Sequence, residues 1–385
     1  MKKLFALLLS AVLVLSGAVC AFAKEDAPVK VAAKAAVLMD LNTGKVLYAM
    51  KENDRLYPAS VTKIMSLLLV MEAVESGKIK LTDKVAASEN AVSFGGSQIW
   101  LEVGEEMSVD DMLKAVSIAS ANDACTALGE YVSGSSEAFV GAMNARAKQL
   151  GMKNTHFENC TGLDETEKNH YSSALDIALM SRALMRYDLI KKYSATWMDS
   201  LRGGKTELVN TNRLVRFYQG CVGLKTGTTT KAGFCLSAVA QREESCLCAV
   251  VLGSKTSQER FDSAAALLDY GFANFETVSP RITLPQGGSL PVEGAMQSTV
   301  SLSLAQKKVL LSVPKGEGAN VSTKIELPEK LRAPLEKGQT VGKITFYLGE
   351  EPLGSVGIVA GESAELLNFW GALEKLFKSG LTNFN

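Results

Sequence analysis

The order of patterns along this 385-residue chain predicts an α/β (α+β) domain, with an antiparallel sheet packed against helices. A small β-rich domain and a C-terminal amphipathic helix follow it. Three observations carry that reading. A hairpin signal near the start and a strand pair around residues 234–252 flank a mainly helical middle, so both ends of the first domain feed one sheet. The texture changes at Phe275, beyond which short apolar runs are separated by Gly and Pro. The length also exceeds what one small core needs, and 47% apolar with 21% charged residues is the balance of an ordinary globular protein.

Residues 1–23 read as an export signal: Lys2-Lys3 give the positive start, Leu4 to Val19 the apolar run, and Ala21-Phe22-Ala23 the cleavage site. Cys20 invites a lipoprotein reading, but Val19 is bulkier than the small residue expected before a lipidated cysteine, which favours cleavage after Ala23. The first domain spans 28–275. Ala35–Met39 and Lys45–Ala49 flank Asn42-Thr43-Gly44 as a hairpin. A helix starting around Ser60 runs to about Ser76 and stops at Gly77. From about 85 to 195 the chain reads as mainly helical, with starts at Ser108 (Asp111 in the capping-box position), Ser135-Ser136 and Ser172-Ser173. Strands return at Cys221–Leu224, Phe234–Val239 and Cys246–Leu252, and a helix over about 258–272 closes the domain.

Residues 277–363 form the β-rich domain, with strand-like runs at Ile282–Pro285, Val309–Pro314, Lys343–Tyr347 and Val356–Val359. In 364–385, Leu366, Phe369, Trp370, Leu373, Leu376 and Phe377 recur at three- and four-residue steps. That periodicity fits a helix docked on its own domain or, better for a terminal segment with two large aromatics, one lying in a membrane surface.

Composition narrows the chemistry. Lys+Arg and Asp+Glu are both 41, so the net charge gives no pointer to nucleic acid. Two histidines, His156 and His170, expected on surface loops, leave a His-based triad or a His-rich metal site poorly supplied, and no metal or cofactor is expected. The six cysteines beyond the signal contain no C-x-x-C pair; their apolar neighbours suggest buried thiols, with disulfides the alternative.

Ser60-Val61-Thr62-Lys63 places a hydroxyl and an amine at i and i+3, on one helix face. A serine needs a neighbouring base, and a lysine serves if burial or a nearby cation lowers its pKa. Alone the pattern is weak. Ser120-Ala121-Asn122 and Lys225-Thr226-Gly227 follow it in order, on an expected loop and strand. S-x-x-K, S-x-N and K-T-G at these separations are the motif set of β-lactamases and penicillin-binding proteins. With the exported start, the β-rich domain and the C-terminal helix, nearly the whole chain resembles the low-molecular-mass penicillin-binding proteins, specifically the D-alanyl-D-alanine carboxypeptidases.

The resemblance implies a penicillin-binding/β-lactamase-like transpeptidase fold, peptidoglycan stem peptides as substrates, acylation by β-lactams, and a place on the outer face of the cytoplasmic membrane. Ser60 is then the nucleophile, Lys63 its base, kept partly neutral with help from Lys225, and Ser120 a proton relay. Asn122 would hold Lys63 and a substrate amide, Gly227 would let substrate lie along the strand edge, and the N–H groups of Ser60 and Thr228 would form the oxyanion hole. Lys225, Thr226, Thr228 and Arg260 are expected on the side of the substrate carboxylate, with Arg213 matching a further family arginine at shorter spacing. Thr228 and Thr161 stand where some relatives carry histidine, which puts substrate preference and pH dependence in doubt. A β-lactamase is the nearest alternative, but Ala121 replaces the S-D-N aspartate and no clear E-x-x-L-N follows. An acylated sensor or scaffold and a cross-link endopeptidase would use the same residues.

Overall fold

The computed structural model describes residues 29–373. The architecture below is that of the compact unit Val31–Asn385. The export signal and most of the C-terminal helix fall outside the described residues.

The main sheet takes strands from both ends of the first region: β1 (Ala35–Asp40), β2 (Val46–Met50), β3 (Cys221–Thr229), β4 (Gly233–Arg242) and β5 (Ser245–Ser254). Their order is β2-β1-β5-β4-β3, all antiparallel. The β1, β4 and β5 runs read as continuous apolar stretches because these central strands are covered on both faces; β1 is buried at all six positions. β3, which carries Lys225-Thr226-Gly227, is an edge strand.

The longer helices among the described residues include α1 (Lys63–Glu75), α2 (Asn122–Ser133), α3 (Ala174–Leu184) and α4 (Ser257–Asn274), with a further one at Ser136–Gln149. α1 is apolar nearly all round and lies in the core, so periodicity along it is weak. Ser108 caps its helix by accepting from the Asp111 N–H, but the Asp111 carboxylate takes the Ser108 hydroxyl, leaving the reciprocal box incomplete. α4 has the complete box, Thr256 with Glu259. The region expected to be helical also holds a small ladder, Lys84–Ala86 against Glu106–Ser108. A hairpin, Met198–Leu201 with Thr206–Val209, precedes β3.

The β-rich region has its own core around Leu290, Val300, Ile344, Phe346 and Ile358. Its six-stranded sheet contains β6 (Ser289–Glu293), β7 (Thr299–Leu304), β8 (Val321–Glu326), β9 (Leu331–Arg332), β10 (Thr340–Leu348) and β11 (Glu351–Ala360), in the order β8-β10-β11-β7-β6-β9. Leu311–Pro314 pairs instead with Phe275–Val278. Ile282–Pro285 is not a strand: 3-10 geometry begins at Pro285, whose ring removes a ladder donor. β6 to β9 escaped the search for apolar runs because they alternate or lie at edges, as the exposed positions of β8 show.

The C-terminal helix starts later than its pattern suggests. Ala364 and Leu366 form bridges to Leu335 and Ala295, and helical geometry begins at residue 369. Leu366, Phe369 and Trp370 are exposed, and no helix among the described residues is long and apolar enough to cross a membrane.

Candidate active site

Pro58 leads into a 3-10 turn, Ala59–Thr62, that passes directly into α1. The tighter turn keeps Ser60 and Lys63 on one side, where i and i+3 eclipse. Lys63 is fully buried; its Nζ lies 2.8 Å from the Ser60 Oγ and donates to the Thr161 carbonyl at 2.9 Å. Burial brings the Lys63 pKa down to about 8, while Cys125, Cys160 and Asp123 oppose the shift. The expected effect of Lys225 on Lys63 falls the other way. Lys225 is itself driven well below the usual lysine value, by burial first and then by the charges of Lys63 and Arg260.

Ser120 follows a π-helical turn, Ala115–Ala119, and takes the left-handed conformation with φ 66°. Its hydroxyl has no hydrogen-bond partner among the described residues and is available to a ligand. Asn122 opens α2. Its Nδ2 donates to the Gly95 carbonyl at 2.6 Å, and its N–H donates to the Ser97 carbonyl. The expected bond to Lys63 is absent. The Gly95 contact fixes the amide's orientation and leaves the buried Oδ1 unpaired, ready to accept an N–H.

At Gly227 the structure shows a close approach by the chain itself. A Cβ there would sit 2.7 Å from the Pro58 carbonyl oxygen and 2.9 Å from the Ser60 nitrogen. The glycine lets β3 press against the nucleophile's own turn. Substrate addition remains possible because β3 is an edge. Thr226 donates its hydroxyl to Thr211 at 2.7 Å, Lys225 Nζ donates to the Thr226 carbonyl at 3.0 Å, and the exposed Thr228 donates to the Gly227 carbonyl.

Arg260 is buried in the first turn of α4. Its Nη1 donates to the Gly227 and Cys235 carbonyls and the Thr228 Oγ1, and its guanidinium stacks on Phe234 and Phe261. Burial lowers its pKa to about 10, its Nε has no partner, and no carboxylate pairs with it among the described residues. Arg213 is exposed. It lines a neighbouring cavity of about 320 Å³ with Phe217, Gln258 and Asp262, two residues beyond the threonine that holds Thr226.

Three supporting groups escaped sequence reasoning. The Asn159 Oδ1 accepts from the Thr161 and Gly162 N–H groups and so shapes the loop whose carbonyl holds Lys63. Gly162 has φ +84°, and a Cβ there would lie 1.9 Å from the Ala59 carbonyl oxygen. An Asn followed by Gly three residues later was the available turn signal. His170, expected on a surface loop, is buried: its Nδ1 accepts the Glu158 N–H, so its Nε2–H donates to Thr62 Oγ1 at 2.8 Å. All six described cysteines are free and buried, and no His/Cys/Asp/Glu group among the described residues could hold a metal.

A half-buried serine on a buried lysine, a free hydroxyl, an open amide oxygen and a guanidinium with no counter-ion thus sit in the three motifs and at the start of α4. Comparison with known proteins agrees. Residues 21–256 match the model of the D-alanyl-D-alanine carboxypeptidase family, and residues 280–365 match that of the penicillin-binding protein 5 C-terminal domain. The chain is 44% identical over 377 residues to D-alanyl-D-alanine carboxypeptidase DacF of Bacillus subtilis, covering 96% of each. It is 39% identical over 362 residues to DacC of Escherichia coli, covering 91% of this chain and 89% of that one. The crystal structure of penicillin binding protein 5 from Haemophilus influenzae aligns with a TM-score of 0.76 at 34% identity, over 88% of this chain and 99% of that one. The chain belongs to the D-alanyl-D-alanine carboxypeptidase family of serine hydrolases.

Proposed function

We propose that this chain removes the terminal D-alanine from peptidoglycan stem pentapeptides through an acyl-enzyme on Ser60. The observation that carries the reading is the buried Lys63 Nζ, 2.8 Å from the Ser60 Oγ and lowered to about 8. As a neutral amine, Lys63 keeps one N–H on the Thr161 carbonyl and offers its lone pair to the Ser60 O–H. Ser60 Oγ attacks the carbonyl between the two D-alanines as its proton passes to Lys63. The oxyanion is received by the N–H groups of Ser60 and Thr228. Collapse breaks the C–N bond, and the Ser120 hydroxyl relays a proton from Lys63 to the leaving amine. Water then attacks the ester, giving its proton to Lys63 and restoring Ser60.

Asn122 Oδ1 accepts a substrate amide N–H, and the edge of β3 takes the peptide as an added strand. The substrate carboxylate lies toward Thr226, Thr228 and Lys225, in the field of Arg260, whose lack of a counter-ion suits an arriving anion. Arg213, in its separate cavity, contributes longer-range attraction. β-Lactams acylate Ser60 by the same route. The export signal and the apolar face begun by Leu366, Phe369 and Trp370 suit a protein held at the outer face of the cytoplasmic membrane. The test is D-alanine release from a defined pentapeptide, with Ser60→Ala abolishing both release and the penicillin adduct. Release that persists in Ser60→Ala rejects the reading, and rapid repeated turnover of the penicillin adduct favours a lactamase.

A further inference from the structure

Trp100 is 76% exposed, an unusual state for the largest side chain in the loop beside the motif serine and asparagine. Its backbone is strained as well, with φ +57°, a region that bulky residues avoid. The surrounding structure over-determines this conformation. The N–H groups of Ile99 and Leu101, on either side, both donate to the buried Asp123 carboxylate, which follows Asn122. From the other side Arg202 donates to the Ile99 carbonyl at 2.9 Å and the Trp100 carbonyl at 3.4 Å, and it is itself ion-paired with Glu105 at 2.7 Å. Asn122 holds the same loop at Gly95 and Ser97. A strained position braced by so many bonds, yet leaving most of its side chain in solvent, marks a ligand contact.

We propose that Trp100 is a stacking platform for the glycan strand that carries the stem peptide, making the enzyme selective for glycan-linked over free peptide. This rests on the carboxypeptidase reading above. The loop that presents Trp100 is the one fastened to Asn122 and Asp123, which ties its backbone to the segment of the motif asparagine. The apolar face of an N-acylated hexosamine matches a rigid, solvent-facing indole, whose burial gains area at little entropic cost. Val103, three residues along the same loop, is exposed as well.

The test compares one variant on two substrates. Trp100→Asn removes the ring while tolerating the left-handed backbone. The expected result is about tenfold lower kcat/KM on disaccharide-pentapeptide, mostly through KM, with free pentapeptide hydrolysis and penicillin acylation unchanged. Trp100→Phe should recover most of the loss. Equal losses on both substrates, or no loss on the glycan-linked one, overturn the proposal. Should Trp100→Asn fail to acylate with penicillin, Trp100→Gly, which also accepts the left-handed backbone and lacks the ring, decides by the same ratio. Wild-type enzyme that releases no D-alanine from either substrate would instead reject the carboxypeptidase reading.

Discussion

The catalytic region and the β-rich region solve the problem of charge in opposite ways. In the first, Lys63, Lys225, Arg260, Asp123 and His170 are all buried, and the four buried side-chain atoms that lack a partner among the described residues lie there. In the second, strands alternate one buried with one exposed face, and the ion pairs Lys324–Glu326, Lys330–Glu293 and Lys343–Glu326 stay at the surface. Burying a lone charge opposes folding, and a surface pair contributes little. The β-rich region is therefore built as a self-sufficient packing unit, whereas the catalytic region holds reactive groups in states that water would not allow.

The largest expected break in this contrast is Lys63→Met. Removing the base should lower penicillin acylation roughly 10²- to 10⁴-fold. Removing a buried amine from an apolar core should leave thermal stability equal or higher, because methionine fills similar volume without a desolvation cost. Acylation kinetics and a melting curve read the two effects separately. Loss of stability as large as the loss of activity would show that Lys63 is structural.

Glycines sharpen the comparison next. Gly162 and Gly338 have nearly the same backbone, φ +84° and +86°. A Cβ at Gly162 would strike the Ala59 carbonyl at 1.9 Å, while Gly338 in the β-rich region meets nothing within 4 Å. Gly338→Ala should cost about 1–2 kcal/mol, the left-handed penalty alone. Gly162→Ala should cost more than about 3 kcal/mol, since the nucleophile's turn must shift, and should slow acylation too. Urea unfolding of both variants measures the difference; similar costs would mean that the 162 loop relaxes freely.

Much of this was legible in the sequence because local rules were obeyed. The Ser60–Lys63 spacing, the β1–β2 hairpin and the Ser135 and Ser173 caps follow from short-range geometry. The site's remaining parts depend on distant segments meeting. The Thr161 carbonyl reaches Lys63 across 98 residues, and His170 reaches Thr62 across 108. The role of Gly227 was visible as a need for close approach, but only the fold shows that the approaching chain is Pro58–Ser60. Asn122 carried the same ambiguity, since an amide's partners are chosen by what folds against it. β8 was hidden for a contrasting reason: an exposed edge strand needs no apolar pattern to pair.

A further effect concerns pH, and it too divides the regions. Burial lowers His170 to about 4, against the partial opposition of Glu167 and Glu158, so the folded protein holds it neutral where an unfolded chain would protonate it near 6.5. Below that value the unfolded state binds the extra proton. Stability should therefore be intact above pH 6.5 and fall as pH drops from 6.5 toward 4, by up to about 3 kcal/mol from this group, with little further loss below. Carboxylates titrate in part of the same window, so the informative quantity is the difference between wild type and His170→Gln, in which that position cannot titrate. Urea unfolding at pH 7, 5.5 and 4 should show a wild-type slope that the variant lacks. Because Thr62 lies between Ser60 and Lys63, protonation also places a cation against the turn that holds the nucleophile. Acylation by penicillin should then fall more steeply below pH 5 in wild type than in the variant, whereas the β-rich region, with no histidine, should show no corresponding change in hydrogen exchange. Parallel wild-type and variant profiles would locate the acid sensitivity elsewhere and remove His170 from the argument.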